Sequence, residues 1–171
     1  HSETGGAIPK KRNEYVIHND WYEPIAFNSH PFEMGPACND FYGGNLKGII
    51  KKLDYLKGLG VGVIYLNPIF DAYSNHKYDT ADYMNVDPMF GTNEIFSRLC
   101  EEAEKRDIRV ILDGVFSHTG ADSKYFNRYG RYDTLGAYQS KESPYYDWYR
   151  FEEFPDRYDC WWGFYTLPAA N

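Results

Sequence analysis

The sequence predicts an α/β fold in which parallel strands are joined by crossover helices. Two stretches with helical spacing of apolar residues alternate with two short β-branched runs between residues 43 and 118. The runs, residues 61–66 and 108–112, are typical of buried strands. Helix–strand–helix–strand order favours a parallel sheet with right-handed connections. A chain of 171 residues is too short for a complete eight-stranded barrel, which needs about 250 residues.

The first predicted helix follows Gly43-Gly44-Asn45 and has apolar residues on one face. Those residues are Leu46, Ile49, Ile50, Leu53 and Leu56. Gly58 and Gly60 are expected to end this helix, because glycine is common at helix C-termini. Pro68 is expected to stop the next strand, and a long polar loop is predicted from there to Gly91.

The second predicted helix begins after Thr92, a suitable N-cap, and Glu94 lies in its first turn. Its buried face comprises Ile95, Phe96, Leu99, Cys100 and Ala103. Residues 109–112 then continue the next strand.

The two ends of the chain do not follow this alternation. Residues 1–42 are predicted to be irregular, with Tyr15-Val16-Ile17 as the only strand candidate. Residues 119–171 have no helical period and contain half of the aromatic residues, which make up 19% of the chain. A structureless loop of that length would be unusual, so a small subdomain is predicted there. The predicted domains are therefore residues 1–118 and 119–171.

Composition excludes several classes of partner. A net charge of −7 without a basic stripe argues against nucleic acid, and no apolar run approaches the length of a transmembrane helix. The polar first residues predict no signal peptide. Cys38, Cys100 and Cys160 are odd in number and fit neither a metal site nor a disulfide framework. We therefore expect no cofactor, no metal and no membrane partner, and the cysteines leave the compartment open.

Asp113 and His118 follow the apolar run at 108–112. A carboxylate and an imidazole at such a strand exit lie where parallel α/β folds hold their active sites. The alternative is that Asp113 caps a turn and His118 is an ordinary loop residue.

The loop after Leu66 carries a second group of functional side chains. Residues 67–83 combine aromatic rings with amides, carboxylates and the imidazole of His76. Rings that stack on a sugar face, with hydrogen-bonding groups at the edges, suit a neutral polyol. A metal site made of His76, Asp79 and Asp82 is a weaker alternative, because the spacing fits no known ligand pattern.

Five segments, in order, resemble conserved segments of the α-amylase superfamily of glycoside hydrolases. Asp113-Gly-Val-Phe-Ser-His118 resembles the element that closes the third barrel strand, and Asn75-His76-Lys77-Tyr78-Asp79-Thr80 resembles the one after the second strand. The second segment is most similar to the neopullulanase and cyclomaltodextrinase branch. The other three segments are Gly43-Gly44-Asn45-Leu46-Lys47-Gly48, Tyr65-Leu66-Asn67-Pro68-Ile69-Phe70 and Leu167-Pro168-Ala169-Ala170-Asn171. Five matches at suitable spacing make the resemblance specific.

The resemblance implies a partial TIM (β/α)8 barrel followed by an irregular, aromatic-rich B domain. Tyr78 would stack on the sugar next to the scissile bond, and His118 would hydrogen-bond its hydroxyls. Asp113 would orient the site, and His76 would also bind substrate. The implied reaction on α-glucan oligosaccharides is retaining hydrolysis between two carboxylates about 5 Å apart. Transfer of the glycosyl group to another sugar is the related alternative.

Departures from the family pattern limit what the chain itself is expected to do. The family's nucleophile and acid/base correspond to positions beyond Asn171, so we expect no catalytic residue in the chain and no activity from it. Ser117 and Ala169 stand where calcium-binding amylases have ligands, which argues against that calcium. A non-catalytic carbohydrate-binding or interaction protein of the same ancestry is the third alternative. The unpaired strand edges of a partial barrel also predict a homodimer.

Overall fold

Two units make up the computed structural model, which describes residues 15–25 and 39–171. The first unit combines the described residues of His1–Ile69 with Asn85–Asp113. The second unit combines Phe70–Met84 with Gly114–Asn171. Phe70–Met84 thus groups with the C-terminal part of the chain and not with its sequence neighbours. Whether residues 1–118 and 119–171 are separate domains stays a prediction.

Short strands and two α-helices form most of the regular structure of the described residues, which also include 3-10 turns at Tyr146–Trp148 and Trp161–Gly163. In chain order the elements are β1 Val16–Ile17, β2 Asp40–Phe41, α1 Leu46–Gly58, β3 Val63–Leu66, β4 Phe70–Ala72, β5 Thr80–Val86, α2 Asn93–Glu104, β6 Arg109–Leu112, β7 Phe151–Glu153 and β8 Arg157–Tyr158. The pairs β1–β2 and β3–β6 are parallel, and β7–β8 is antiparallel. These pairings confirm the predicted α/β class.

Both helices begin at the predicted caps. The Asn45 side chain accepts a hydrogen bond from the Gly48 N–H, and the Thr92 hydroxyl accepts one from the Ile95 N–H. Helix α1 ends at Gly58, and Gly60 follows with a positive φ of 84° that suits glycine. The sequence therefore correctly predicted both helices, their N-caps and the C-terminal end of α1.

The parallel pair β3–β6 is central to the first unit. Leu66 is in register with Leu112, so both strands end at the same level. Alternate residues of β3 and β6 pack with the helices in one apolar core. That core comprises Leu46, Leu53, Ile69, Val86, Leu99, Ala103 and Ile108. The other face carries Val63, Tyr65 and Ile111, which are 49%, 58% and 48% exposed.

Three strands correct the prediction. The region before residue 42 contains β2 as well as β1, so Tyr15-Val16-Ile17 is not the only strand there. The predicted polar loop up to Gly91 contains the paired strands β4 and β5. Their polar residues hid the strand pattern, because Thr80 and Asp82 are buried where an alternating strand would have apolar residues.

Aromatic rings form the core of the second unit. Phe126 is fully buried, and the rings of Tyr149 and Tyr158 meet it edge-on at centroid distances of 4.9 and 4.7 Å. The C-terminal segment crosses this unit: Ala169 forms an isolated β-bridge with His118, and Pro168 forms one with Cys160. The second unit thus has its own aromatic core. No helix in the described ranges is both long and apolar enough to cross a bilayer.

Candidate functional site

The connection between β4 and β5 is held by its own side chains. The backbone N–H of Ser74 donates to the Asp79 carboxylate at 3.1 Å, and the Ser74 hydroxyl donates to the same carboxylate. Lys77 is fully buried with a positive φ of 64°, and its ammonium donates to the Ala72 carbonyl at 3.1 Å. Buried polar groups of this kind are retained only when hydrogen bonds offset their loss of water. The connection is therefore a defined loop.

Between these buried anchors, the loop presents two rings to solvent. Tyr78 is 38% exposed, and His76 is also exposed. The rings lie 6.0 Å apart, and the Tyr78 N–H donates to Nδ1 of His76 at 3.1 Å. Nδ1 is thus an acceptor, so the imidazole is neutral and carries its proton on Nε2. Desolvation by the surrounding chain also lowers the pKa of His76.

His118 lies directly behind this loop. The residue is 5% exposed, and Nε2 of its ring is 3.1 Å from the carbonyl oxygen of Tyr78. Because a carbonyl only accepts, Nε2 carries the proton, and Nδ1 accepts from the Ser117 hydroxyl at 3.1 Å. Burial lowers the pKa of His118, and the carbonyl of Tyr78 and the charge of Asp79 oppose that shift only in part. The imidazole is therefore neutral at pH 7.

Backbone contacts fix the spacing between the two segments. The Gly120 N–H donates to the Thr80 carbonyl at 2.9 Å. A Cβ on Gly120 would lie 2.7 Å from the carbonyl oxygen of Asp79, closer than real Cβ atoms approach. The phenol of Tyr83 also donates to the carbonyls of Val115 and His118. Gly120 and Tyr83 thus set how closely the His118 segment approaches the Tyr78 loop.

Asp113 is at the end of β6 in the first unit. Its N–H donates to the Leu66 carbonyl at 3.0 Å, so it lies beside the exit of β3. A hydrogen bond with Asp113, together with desolvation, raises the pKa of Tyr65. Asp113 therefore occupies the strand-end position that the sequence predicts, with Tyr65 as a neighbour.

Of the four predicted binding residues, Tyr78, His76 and His118 come together in the second unit. The residues that hold them were not predicted: Ser74, Lys77, Tyr83, Ser117 and Gly120. Lys77 in particular looks like a solvated loop lysine in the sequence, and no sequence pattern signals its burial.

The weaker metal alternative does not match the contacts of its residues. The Asp79 carboxylate accepts from Ser74, and the Asp82 carboxylate pairs with Lys124 at 2.6 Å. Within residues 15–25 and 39–171, no three His, Cys, Asp or Glu side chains are grouped to hold a metal ion.

Comparison with known proteins extends these observations. The structure resembles the type III pullulan hydrolase from Thermococcus kodakarensis with a TM-score of 0.75 and 39% identity, over 92% of this chain and 26% of that one. This likeness identifies the class as an α/β glycoside hydrolase fold. The chain belongs to the α-amylase family, because the family model described as the α-amylase catalytic domain matches residues 10–163.

Curated relatives agree with this assignment. The chain is 53% identical to an amylopullulanase of Thermoanaerobacterium saccharolyticum over 169 residues, which cover 91% of the chain and 13% of the relative. It is 47% identical to neopullulanase 2 of Thermoactinomyces vulgaris over 120 residues, 70% of the chain and 19% of the relative. The resemblance to the neopullulanase branch is confirmed. The chain spans less than a quarter of either relative.

Gly120→Ala should destabilise the protein, because the added methyl group would clash with the fixed backbone at Asp79. We expect a loss of about 1–3 kcal/mol in the free energy of unfolding, measured by chemical denaturation. Gly62→Ala is the matched control, since a Cβ at Gly62 meets nothing within 4 Å. Equal stability of the two variants would contradict the close approach at Gly120.

The pKa values of His118 and His18 should lie on opposite sides of the value of free histidine, about 6.5. Burial lowers the pKa of His118, whereas the hydrogen bonds that the His18 ring donates to the Asp40 and Glu23 carboxylates raise the pKa of His18. In nitrogen-15 NMR spectra, His118 should therefore titrate at a lower pH than free histidine, and His18 at a higher pH. Because folded His118 binds protons more weakly than the unfolded chain, its contribution to stability should fall as pH drops below about 6.5. A His118 pKa above that of free histidine would contradict this result.

Proposed function

We propose that this chain carries the sugar-binding part of a catalytic region that cleaves α-glucosidic bonds with retention. Its first unit would be part of a (β/α)8 barrel, and residues 119–171 would be the B-domain-like region. The parallel pair β3–β6 with its two helices supports the barrel assignment. Family membership and the names of the relatives, amylopullulanase and neopullulanase 2, support α-glucans as substrates.

The observation that carries this proposal is the contact between Tyr78 and His118. Tyr78 offers a partly exposed ring, on which the apolar face of a glucose unit would stack. His118 is neutral and held behind the loop by hydrogen bonds, so it fixes the Tyr78 backbone. Rotation of the Ser117 hydroxyl would free Nδ1 of His118 to accept a hydrogen bond from a sugar hydroxyl. A site of neutral rings suits an uncharged polyol.

Two other predicted residues have supporting roles in this proposal. The Tyr78 N–H donates to Nδ1 of His76, so Nε2 carries the proton of this ring and would donate it in a hydrogen bond to a sugar hydroxyl. Asp113, at the exit of β6 in the first unit, contacts Tyr65 and stays a predicted binding residue. Neither residue would attack the glycosidic bond.

The bond-breaking groups would come from elsewhere in the catalytic region. Retaining hydrolysis needs a nucleophilic carboxylate and an acid/base carboxylate on opposite sides of the bond, about 5 Å apart. In the family resemblance, these correspond to positions beyond Asn171. Attack of water on the resulting glycosyl-enzyme intermediate would complete hydrolysis, and attack of a second sugar in its place would complete transfer.

Tyr78→Ala should weaken binding of maltotriose by about fivefold, because loss of one stacking contact costs about 1 kcal/mol. Tyr78→Phe should bind like the wild type, since the ring remains. Tyr129→Ala is the matched control, because Tyr129 is 40% exposed and Tyr78 is 38% exposed. Isothermal titration calorimetry measures all three variants. Unchanged affinity in Tyr78→Ala would remove the basis of the proposal.

The purified chain should release no reducing sugar from starch, pullulan or cyclodextrins, because both catalytic carboxylates are assigned outside it. A reducing-end assay over many hours, with and without added oligosaccharide, measures this. Sustained turnover would refute the assignment. Binding without cleavage by any longer protein that contains this sequence would instead identify a non-catalytic relative.

We also propose that the chain forms a homodimer through the exposed side of the β3–β6 pair. Val63, Tyr65 and Ile111 form an apolar surface there. Light scattering at low micromolar concentration should show twice the 20.0 kDa chain mass. Ile111→Lys should give monomers, and Leu135→Lys, at a similarly exposed leucine in the other unit, should not. A wild-type monomer would exclude this dimer.

A further inference from the structure

We propose that Trp161, Trp162 and Phe164 form an aromatic platform that binds additional glucose units of the same α-glucan chain. This inference rests on the proposed function, because it extends the site at Tyr78 and His118. It assigns to the site a preference for longer oligosaccharides over disaccharides.

The platform adjoins His118 through the backbone. The β-bridges from His118 to Ala169 and from Cys160 to Pro168 place two chain segments side by side. Trp161 directly follows the second bridge, and its ring centroid is 5.3 Å from that of His118. Since Nε2 of His118 bonds to the Tyr78 carbonyl, the Trp161 ring lies next to a residue of the proposed sugar site.

Backbone hydrogen bonds within the loop hold the platform in place without a ligand. The Trp161 N–H donates to the Leu167 carbonyl at 2.9 Å, and the Leu167 N–H donates to the Phe164 carbonyl at 2.8 Å. Trp162 has a positive φ of 50°, a conformation that costs a bulky residue about 1 kcal/mol or more. The fold holds this tryptophan in place despite that cost, and a preorganised loop loses little entropy on binding.

The rings face solvent in nearly parallel planes. Trp161, Trp162 and Phe164 are 39%, 84% and 55% exposed. The Trp161 plane is inclined by 21° to that of Trp162 and by 26° to that of Phe164. An exposed group of large rings of this kind is typical of a binding surface. Because Trp161 stacks on Trp162 at a centroid distance of 5.2 Å, the largely exposed Trp162 ring is the part of this group on which a further sugar face would stack.

Charge selects the kind of ligand. Residues 160–171 contain no charged side chain, and the neighbouring His118 is neutral at pH 7. A nucleic acid or an acidic peptide would find no cation in this segment. A glucan is uncharged and has both apolar faces and hydroxyl edges, so it matches the segment better than either.

The test compares maltohexaose with maltose, using calorimetry on the full 171-residue chain. Trp162→Ala should weaken binding of maltohexaose by about fivefold and leave maltose unchanged, since only the longer ligand reaches the platform. Trp162→Phe should restore binding. Trp21→Ala, which removes a 60% exposed tryptophan from the first unit, should bind both ligands normally. Trp162 is so exposed that its removal should leave folding intact, which circular dichroism checks.

The possible outcomes separate the platform from the proposed function. If Tyr78→Ala weakens binding and Trp162→Ala does not, the platform proposal is wrong and the proposed sugar-binding function is supported. If the wild type binds neither ligand, the proposed function itself fails. Equal loss for maltose and maltohexaose, or loss of self-association in Trp162→Ala with unchanged sugar binding, also overturns the platform.

Discussion

The hydrogen bond from the buried His118 ring to the Tyr78 carbonyl joins segments that lie 40 residues apart in the chain. It requires a neutral imidazole with its proton on Nε2, which burial and the Ser117 hydroxyl both favour. It also requires close backbone approach, which only glycine permits at position 120. The orientation of Tyr78, and with it the proposed sugar contact, depends on this bond.

Buried polar groups, and not apolar packing, shape the loop that carries Tyr78. Ser74, Lys77 and Asp79 lie inside the protein, where each hydrogen bond offsets part of the cost of lost hydration. Such a network holds its members in one arrangement, because a broken partner leaves a buried group unsatisfied. The exposed rings therefore stand on a rigid base, which lowers the entropy lost when a ligand binds.

Sequence patterns predicted those parts of the fold that depend on local chemistry. Asn45 and Thr92 cap helices as expected, and the apolar spacing identified the core residues Leu53 and Leu99. Strands β4 and β5 were missed, because buried polar side chains such as Thr80 give no alternating apolar pattern. The family resemblance assigned Tyr78 and His118 to the same sugar, but the tautomer of His118 and the neighbouring Trp161 depend on tertiary contacts.

The central claim is that a glucose unit stacks on the Tyr78 ring, which His118 holds in place. Nuclear Overhauser effects between bound maltotriose and the protein test it most directly. The account predicts cross-peaks from axial C–H protons of one glucose unit to the Tyr78 ring, with a shifted His118 resonance. Cross-peaks to rings elsewhere in the protein, with the Tyr78 and His118 signals unchanged on saturation, would contradict it.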